Sequence, residues 1–407
     1  MLQNWWQATK VYFDKRMMAM MLLGFSSGFP LLLVFGTLNL WLKDSGVPLT
    51  MIGLFSLAKT PYSLKWLWSP IVDRVNLPFF KRFGRRRGWA LFTQIWLMLA
   101  IWGMALTNPA QSVMAMAVWA FIMTFASASQ DIVLDAYRIE SFSNREQGAG
   151  VAVFVLGYRI GTLFSGAGAL FMASVMSWED VYKIMSAGAI VGMITILCSK
   201  EPEKERHYRE KKVRGTWSQR VSQFMEKAVH APLADFIKRP NWLWVLLFIF
   251  CYRMSDAYIG PMAYPFYDDL GFTKKEIAAV VKVFGVIATI VGTLLGGIVV
   301  NRLGIVKALF ICGVLQGVSN LVFVVQAYAG HNVGVFMVTI SIDNIAGGMG
   351  TAAFVAYISS LCNVAYTATQ YALLSSLMSL ARDVFAASSG FLAESVSWPM
   401  FFILTTF

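Results

Sequence analysis

Asp131, Asp135, Asp256, Asp343, Arg159, Arg253 and Arg382 all fall inside long apolar runs, and Lys59 and Lys282 lie nearer the ends of theirs. A charged group in such surroundings costs about 3 kcal/mol or more unless it is paired or wetted, so each is a candidate for moving an ion or gripping a charged ligand. Asp131 and Asp135 are four residues apart and share one helix face. Carboxylates so close do not ionise independently, which suits one of them to carrying a proton. A charge network with Lys65 that steadies a gate is the plainer use of the same pair. Asp343, alone in its run beside Asn344, is the neater proton site. Arg253 and Asp256, three apart, either serve ligand and proton or simply neutralise each other within one helix. Arg159, Arg253, Lys282 and Arg382 together would make an electropositive path that suits a carboxylated ligand, as it would other anions. Tyr252 and Tyr258 precede Gly260-Pro261 and Tyr264-Pro265-Phe266-Tyr267, where prolines loosen a helix. We expect Tyr252 and Tyr258 to line a cavity, and Tyr264 and Tyr267 to be interfacial anchors.

Other chemistries find no residues to carry them. Cys198, Cys251, Cys312 and Cys362 show no CxxC spacing and His207, His230 and His331 are isolated, so neither a disulfide framework nor a metal site is expected. There is no nucleophile elbow either. The expectation is a protein that is not an enzyme and takes no cofactor.

The elements that must position these charges are membrane helices. Charged residues make up 14% of the chain and apolar ones 57%, with a mean hydropathy of +0.60. A soluble domain carries about 25% charged residues, and one of this size could not hide so much apolar surface. The net charge of +12 sits in short polar gaps between apolar runs, which argues against nucleic acid as a partner. A helix needs about 20 apolar residues to cross a bilayer. Such runs lie near 17–42, 51–72, 89–107, 112–137, 149–174, 179–198, 241–266, 275–300, 305–328, 333–359 and 370–393. A twelfth begins at Trp398 and reaches the last residue, Phe407, after some nine positions, so a final helix cut short is expected. Met1 to Arg16 is polar and basic and has no cleavable signal.

Lysine and arginine set the orientation. With the N-terminus inside, the inner gaps hold Lys10, Lys15, Arg16, Arg74, Lys81, Arg82, Arg85 to Arg87, Arg138, Arg145, eleven more from Lys200 to Arg239, Arg302 and Lys307. The outer gaps hold Lys43, Lys274 and Lys275. The expected organisation is a six-helix bundle over 1–198, a cytoplasmic linker over 199–240, and a second bundle over 241–407 that ends within its sixth helix. The linker contains a candidate surface-lying amphipathic helix, Trp217 to Ile237.

The second group of spans echoes the first at an offset near 223 residues. Phe13-Asp-Lys-Arg16 answers Phe236-Ile-Lys-Arg239, and Trp41-Leu-Lys-Asp-Ser-Gly46 answers Phe266-Tyr-Asp-Asp-Leu-Gly271. Gln147 and Arg159 answer Gln370 and Arg382, and Ser177-Trp178 answers Ser397-Trp398. Two six-helix halves related by a parallel repeat are the major facilitator design, with the ligand between the halves at mid-membrane. Asp73-Arg74 followed by Gly84-Arg-Arg-Arg87, and Gly297-Ile-Val-Val-Asn301-Arg302-Leu-Gly304 followed by Lys307, resemble that superfamily's cytoplasmic gate motif. An aspartate at such a place can pair with a basic residue or a helix N-terminus across the gate and must release it on opening. Topological placement of basic residues is the plainer account of the same arginines.

Three further segments carry a narrower likeness. Ser127-Ala-Ser-Gln-Asp131-Ile-Val-Leu-Asp135-Ala-Tyr-Arg-Ile-Glu140, Gly24-Phe-Ser-Ser-Gly-Phe-Pro30, and Lys59-Thr-Pro-Tyr-Ser-Leu-Lys-Trp66 with Ser69-Pro-Ile-Val-Asp-Arg74 together resemble the AmpG muropeptide permeases of Gram-negative bacteria, relatives of the eukaryotic acetyl-CoA transporters. The resemblance covers nearly the whole chain, although some members of that family have extra C-terminal spans. It implies a monomeric, proton-driven symporter of the inner membrane. Its substrate would be the N-acetylglucosaminyl-anhydromuramyl disaccharide, with or without peptide, imported for peptidoglycan recycling. The rival readings are a transporter of another anionic conjugate, such as a nucleotide or acyl-CoA, and a membrane sensor that kept the fold and lost transport.

Overall fold

The computed structural model describes residues 9–202 and 230–406, apart from a few side chains, and among them the regular structure is helical throughout. Among the described residues nine helices are long and apolar enough to span a membrane: Lys15–Asp44, Arg85–Ala105, Val113–Ser141, Gln147–Ala173, Trp178–Cys198, Trp242–Asp269, Ala279–Leu303, Ile305–Ala329 and Val333–Ser360. They are spans one, three to six, and seven to ten of the expected set. The eleventh, Thr367–Ser395, is one unbroken helix of 29 residues, but it carries Gln370, Arg382 and many serines and threonines. Span two is the main departure from expectation. Between Leu49 and Arg74 the chain forms three short helices joined by 3-10 turns at Phe55–Lys59 and Lys65–Leu67. Pro61 and Pro70 lack the N–H that a continuous helix requires, and each stands in the first turn of a new piece. The twelfth segment is helical over Trp398–Leu404.

Glycine decides how closely the spans pack, as it does where lipid supplies no hydrophobic drive between helices. Spans one and five meet so closely that a Cβ on Gly157 would lie 1.8 Å from the Met21 carbonyl oxygen. Spans eight and ten do the same, with a Cβ on Gly292 falling 2.2 Å from the Ile345 oxygen.

The sequence repeat has structural counterparts. On the face away from residues 199–240, the Trp178 indole donates to Asp44 (2.9 Å) and the Trp398 indole to Asp269 (2.8 Å). These bonds tie span six to span one and the twelfth segment to span seven. On the other face, here called the linker face, Gly84 and Gly304 precede spans three and nine with φ of 93° and 81°. Both helices begin where only glycine turns without strain.

Two local expectations shift. Span seven breaks at Tyr252–Arg253, between Trp242–Cys251 and Met254–Asp269, while Pro261 and Pro265 stay inside the second helix. Tyr267 is no interfacial anchor. It is 3% exposed and packs on Phe266 and Phe336, whereas Tyr264 is exposed. Spans five and eight each contain a π-helical stretch, Phe164–Gly168 and Ala278–Phe284, a feature that recurs at functional sites. Most of the candidate surface helix Trp217 to Ile237 lies outside the described residues, of which Ala231–Ile237 is helical.

Candidate functional site: a buried charge lattice between two groups of spans

Asp73 ends span two and is 1% exposed. One carboxylate oxygen accepts from Arg86 Nη2 (2.8 Å) and the backbone N–H of Ala368 (3.1 Å). The other accepts from the backbone N–H and the hydroxyl of Thr369, both at 2.7 Å. Ala368 and Thr369 are in the first turn of span eleven, whose unsatisfied N–H groups and positive dipole end favour an anion. Arg86, fully buried, reaches on to Glu140 of span four at 2.6 Å. Two carboxylates thus share one guanidinium, and one of them caps a helix from the other group of spans. Removing one member of such a buried set costs about 3–5 kcal/mol, because its partner is left charged and unpaired.

Further contacts join the groups on the same face. Arg138 of span four, 1% exposed, donates to Ser359 (3.1 Å) and Gln147 (3.3 Å) and lies over the Tyr371 ring. The Tyr12 hydroxyl donates to the Leu294 carbonyl, Asn301 to that of Arg145, and Arg74 lies over the Tyr366 ring. Arg302, half-buried, follows Asn301 in the second copy of the gate motif. Apart from Leu294, which is in the middle of its helix, these contacts are near linker-face ends of helices, whereas Trp178–Asp44 and Trp398–Asp269 on the opposite face stay within one group. The described arrangement is closed at the linker face.

Glu201 and Asp235 brace the two sides of this closure. Glu201 accepts from the backbone N–H groups of Arg86 and Arg87 (2.9 and 3.1 Å), capping span three beside the buried arginine. Asp235 accepts from Gln370 (2.9 Å), Asn363 (3.0 Å) and Arg239 (3.2 Å), holding the turn before span eleven. Partial burial disfavours the Asp235 charge, but those three hydrogen bonds outweigh it and keep the carboxyl below its ordinary value of 3.8. Gln147 and Gln370, matched in the repeat, differ in their partners: Gln147 donates to the Ile139 and Phe142 carbonyls just before it, whereas Gln370 donates to the distant Pro232 carbonyl and accepts from the Asn363 N–H.

The mid-membrane candidates divide into two clusters. In the first, Asp131 accepts from Ser27 of span one (2.6 Å), and the Tyr62 hydroxyl donates to Ser127, one turn earlier on span four (2.8 Å). Lys65 is near enough to Asp131 to act on its charge, as expected. Asp135 turns instead toward Arg138 at 3.4 Å. In the second, Arg253 bonds Asp256 (2.5 Å) and Thr351 of span ten (3.0 Å), so the intrahelical pair forms and also ties span seven to span ten. Asp343 is not isolated, since the Asp256 charge acts on it and it acts on Tyr267.

Tyr252 stacks on Phe354 at 4.5 Å and donates to the Leu309 carbonyl (3.0 Å), which engages it in helix packing. Tyr258 accepts from Ser388 of span eleven (3.2 Å). Arg159 and Arg382 are both exposed, on spans five and eleven, and no described contact brings them together. Lys282 is in the π-helical stretch of span eight, its side chain outside the described residues. Arg86, Glu140, Arg138, Glu201 and Asp235 were not singled out from sequence. Arg86 and Glu140 belong to quoted motifs, but a motif does not say which of three adjacent arginines turns inward.

Comparison with known proteins places these features in a family. The Major Facilitator Superfamily profile matches residues 245–407, and the Acetyl-coenzyme A transporter 1 profile matches residues 16–113. The chain is 36% identical over 399 residues to the putative transporter AmpG 4 of Rickettsia conorii, covering 98% of this chain and 94% of the relative. It is 39% identical over 401 residues to the anhydromuropeptide permease of Escherichia coli K12, covering 98% of this chain and 78% of the relative. The fold matches that of the transporter FucP in its outward conformation, with a TM-score of 0.68 at 12% identity over 97% of this chain and 96% of that one. It also matches the proton:xylose symporter XylE, with a TM-score of 0.63 at 13% identity over 96% and 92%.

Proposed function

Since the chain belongs to the AmpG family of major facilitator transporters, we propose that it imports anhydromuropeptides across the bacterial inner membrane in symport with protons. The likeness to the anhydromuropeptide permease over 98% of this chain supports the substrate class. In this reading the halves are residues 1–198 and 241–407, joined by a cytoplasmic linker at 199–240. The N-terminus is also cytoplasmic, because the basic gaps lie on the linker face. The closed linker face then makes the described state outward-facing. Asp73, Arg74, Asn301 and Arg302 belong to the inner gate, with Arg86 as the cation that Asp73 and Glu140 share. Opening that gate means withdrawing Asp73 from the span-eleven amides, and ligand binding must favour the state in which it has done so.

Arg159, Arg253 and Arg382 supply the positive charge that a peptide-bearing, multiply anionic ligand requires. Asp343 is the proton-coupling group. It is in mid-span with Asp256 as its charged neighbour, and the Asp256 charge is already offset by Arg253. The experiment is uptake of radiolabelled anhydromuropeptide into membrane vesicles with and without an imposed proton gradient. Gradient-dependent uptake by the parent is expected, and Asp343→Asn should lose it while keeping counterflow exchange. Uptake by the parent that ignores the gradient would refute symport, and no uptake at all would refute the substrate.

A further inference from the structure

Tyr62, Ser127, Asp131, Ser27 and Tyr158 come from four different spans yet gather in one polar and aromatic cluster, in which Tyr62, Asp131 and Tyr158 are half-buried and the two serines lie behind them. Ser127 and Asp131 are a turn apart on one face of span four. Each is already met from another helix: Tyr62 of span two donates to Ser127, and Ser27 of span one donates to Asp131. Tyr158 of span five packs by its backbone on Gly28, next to Ser27, and Tyr158 and Tyr62 are both near enough for the Asp131 charge to act on them. Both rings are half-buried rather than packed away. Their helices are also the first-half elements that face the junction. The pieces Thr60–Leu64 and Lys65–Leu67 pack against span eleven, and span five packs against spans eight and ten. The gate lattice uses none of these five residues.

Two tyrosine rings around a carboxylate with serine hydroxyls suit a neutral pyranose better than an anion. The rings offer flat apolar faces to C–H groups, and their phenols can bond ring hydroxyls. Ser27 occupies only one oxygen of Asp131, leaving the other to accept from a sugar hydroxyl or an acetamido N–H. A free carboxylate at the same place would repel the anionic end of the ligand. We infer that Tyr62, Asp131 and Tyr158, with Ser127 holding the Tyr62 hydroxyl from behind, form the sugar-recognising wall of the transport site, which fixes the disaccharide end while the peptide end lies toward the arginines. This rests on the muropeptide reading above.

The probes are the N-acetylglucosaminyl-anhydromuramyl disaccharide and the same disaccharide carrying its tripeptide, with binding measured on purified protein. Tyr62→Ala and Tyr158→Ala should weaken both compounds by the same factor, about tenfold. Arg382→Gln should weaken the peptide-bearing one, which carries more carboxylates, by the larger factor. Tyr62→Phe and Ser127→Ala keep the bulk of the wall and carry the test if the alanine variants do not reach the membrane. Both should lose part of the affinity for the free disaccharide. Parental affinity for the free disaccharide in every one of these variants, or a loss confined to the peptide-bearing compound, would overturn the assignment. If the parent binds neither compound, the functional reading fails and takes this inference with it.

Discussion

Replacing Asp73 with asparagine tests the gate at its most connected residue. Asp73 receives four hydrogen bonds, from Arg86 Nη2, the Ala368 N–H, the Thr369 N–H and the Thr369 hydroxyl, and the last three cross the junction between the groups of spans. Bonds to a charged acceptor are worth about 1.5–3 kcal/mol net, roughly twice a neutral one. Asparagine keeps one acceptor oxygen and turns an amide donor toward groups that themselves donate. The closed state should lose about 2–4 kcal/mol relative to the open one, a shift of about 30- to 700-fold in their ratio. Cys362 is a built-in reporter. It lies half-buried between spans ten and eleven, its thiol donates to the Ile358 carbonyl at 3.4 Å, and burial pushes its pKa up, so it reacts slowly while the face is closed. The charges of Arg138, Asp73 and Asp135 act on it from across the junction, so parting the halves must expose it. With Cys198, Cys251 and Cys312 changed to serine, maleimide labelling of Cys362 should speed up in proportion to the open fraction. Asp73→Asn should label at least about 30 times faster than the parent. Labelling at the parental rate, in protein that remains folded and in the membrane, would refute the reasoning.

Three other outcomes follow from the same structure. Arg159→Gln or Arg382→Gln should weaken peptide-bearing ligand about tenfold or more, the charge term being roughly 1.5–3 kcal/mol in a partly dry cavity; equal binding by both variants would shift attention to Arg253 and Lys282. The Asp235 carboxyl is held below its ordinary value of 3.8, so its clamp is intact above that pH and is lost as pH falls through the depressed value. Asp235→Asn should therefore speed Cys362 labelling without changing the pH profile of transport between about pH 5.5 and 8; a profile that moves would assign Asp235 a role in proton coupling. Gly157→Ala puts a methyl where the Met21 carbonyl oxygen would be 1.8 Å away. It should lower the thermal unfolding temperature in detergent by several degrees, whereas Gly260→Ala, which meets nothing within 4 Å, should not.

The sequence by itself determined the helical membrane class, because no soluble core could hide 57% apolar residues in a chain of this length. It also determined the repeat. Trp178 and Trp398 do equivalent work in space because equivalent ends of two similar bundles present a carboxylate at the same place. The Arg253–Asp256 pair was legible for the same local reason, a three-residue spacing on one helix. What sequence could not decide was which charges face each other across helices. Asp73 could have met any nearby cation or helix end, and only packing put it on the amides of Ala368 and Thr369 with Arg86 at its back. Likewise nothing in the spacing of Tyr62, Ser27 and Tyr158 says that they surround Asp131. Their helices are sequence-distant, and their approach is set by glycine contacts such as Gly157 on Met21 and by the turns that break span two. Local periodicity is a property of one helix, whereas a site between helices is a property of their crossing, and that depends on every side chain at the crossing at once.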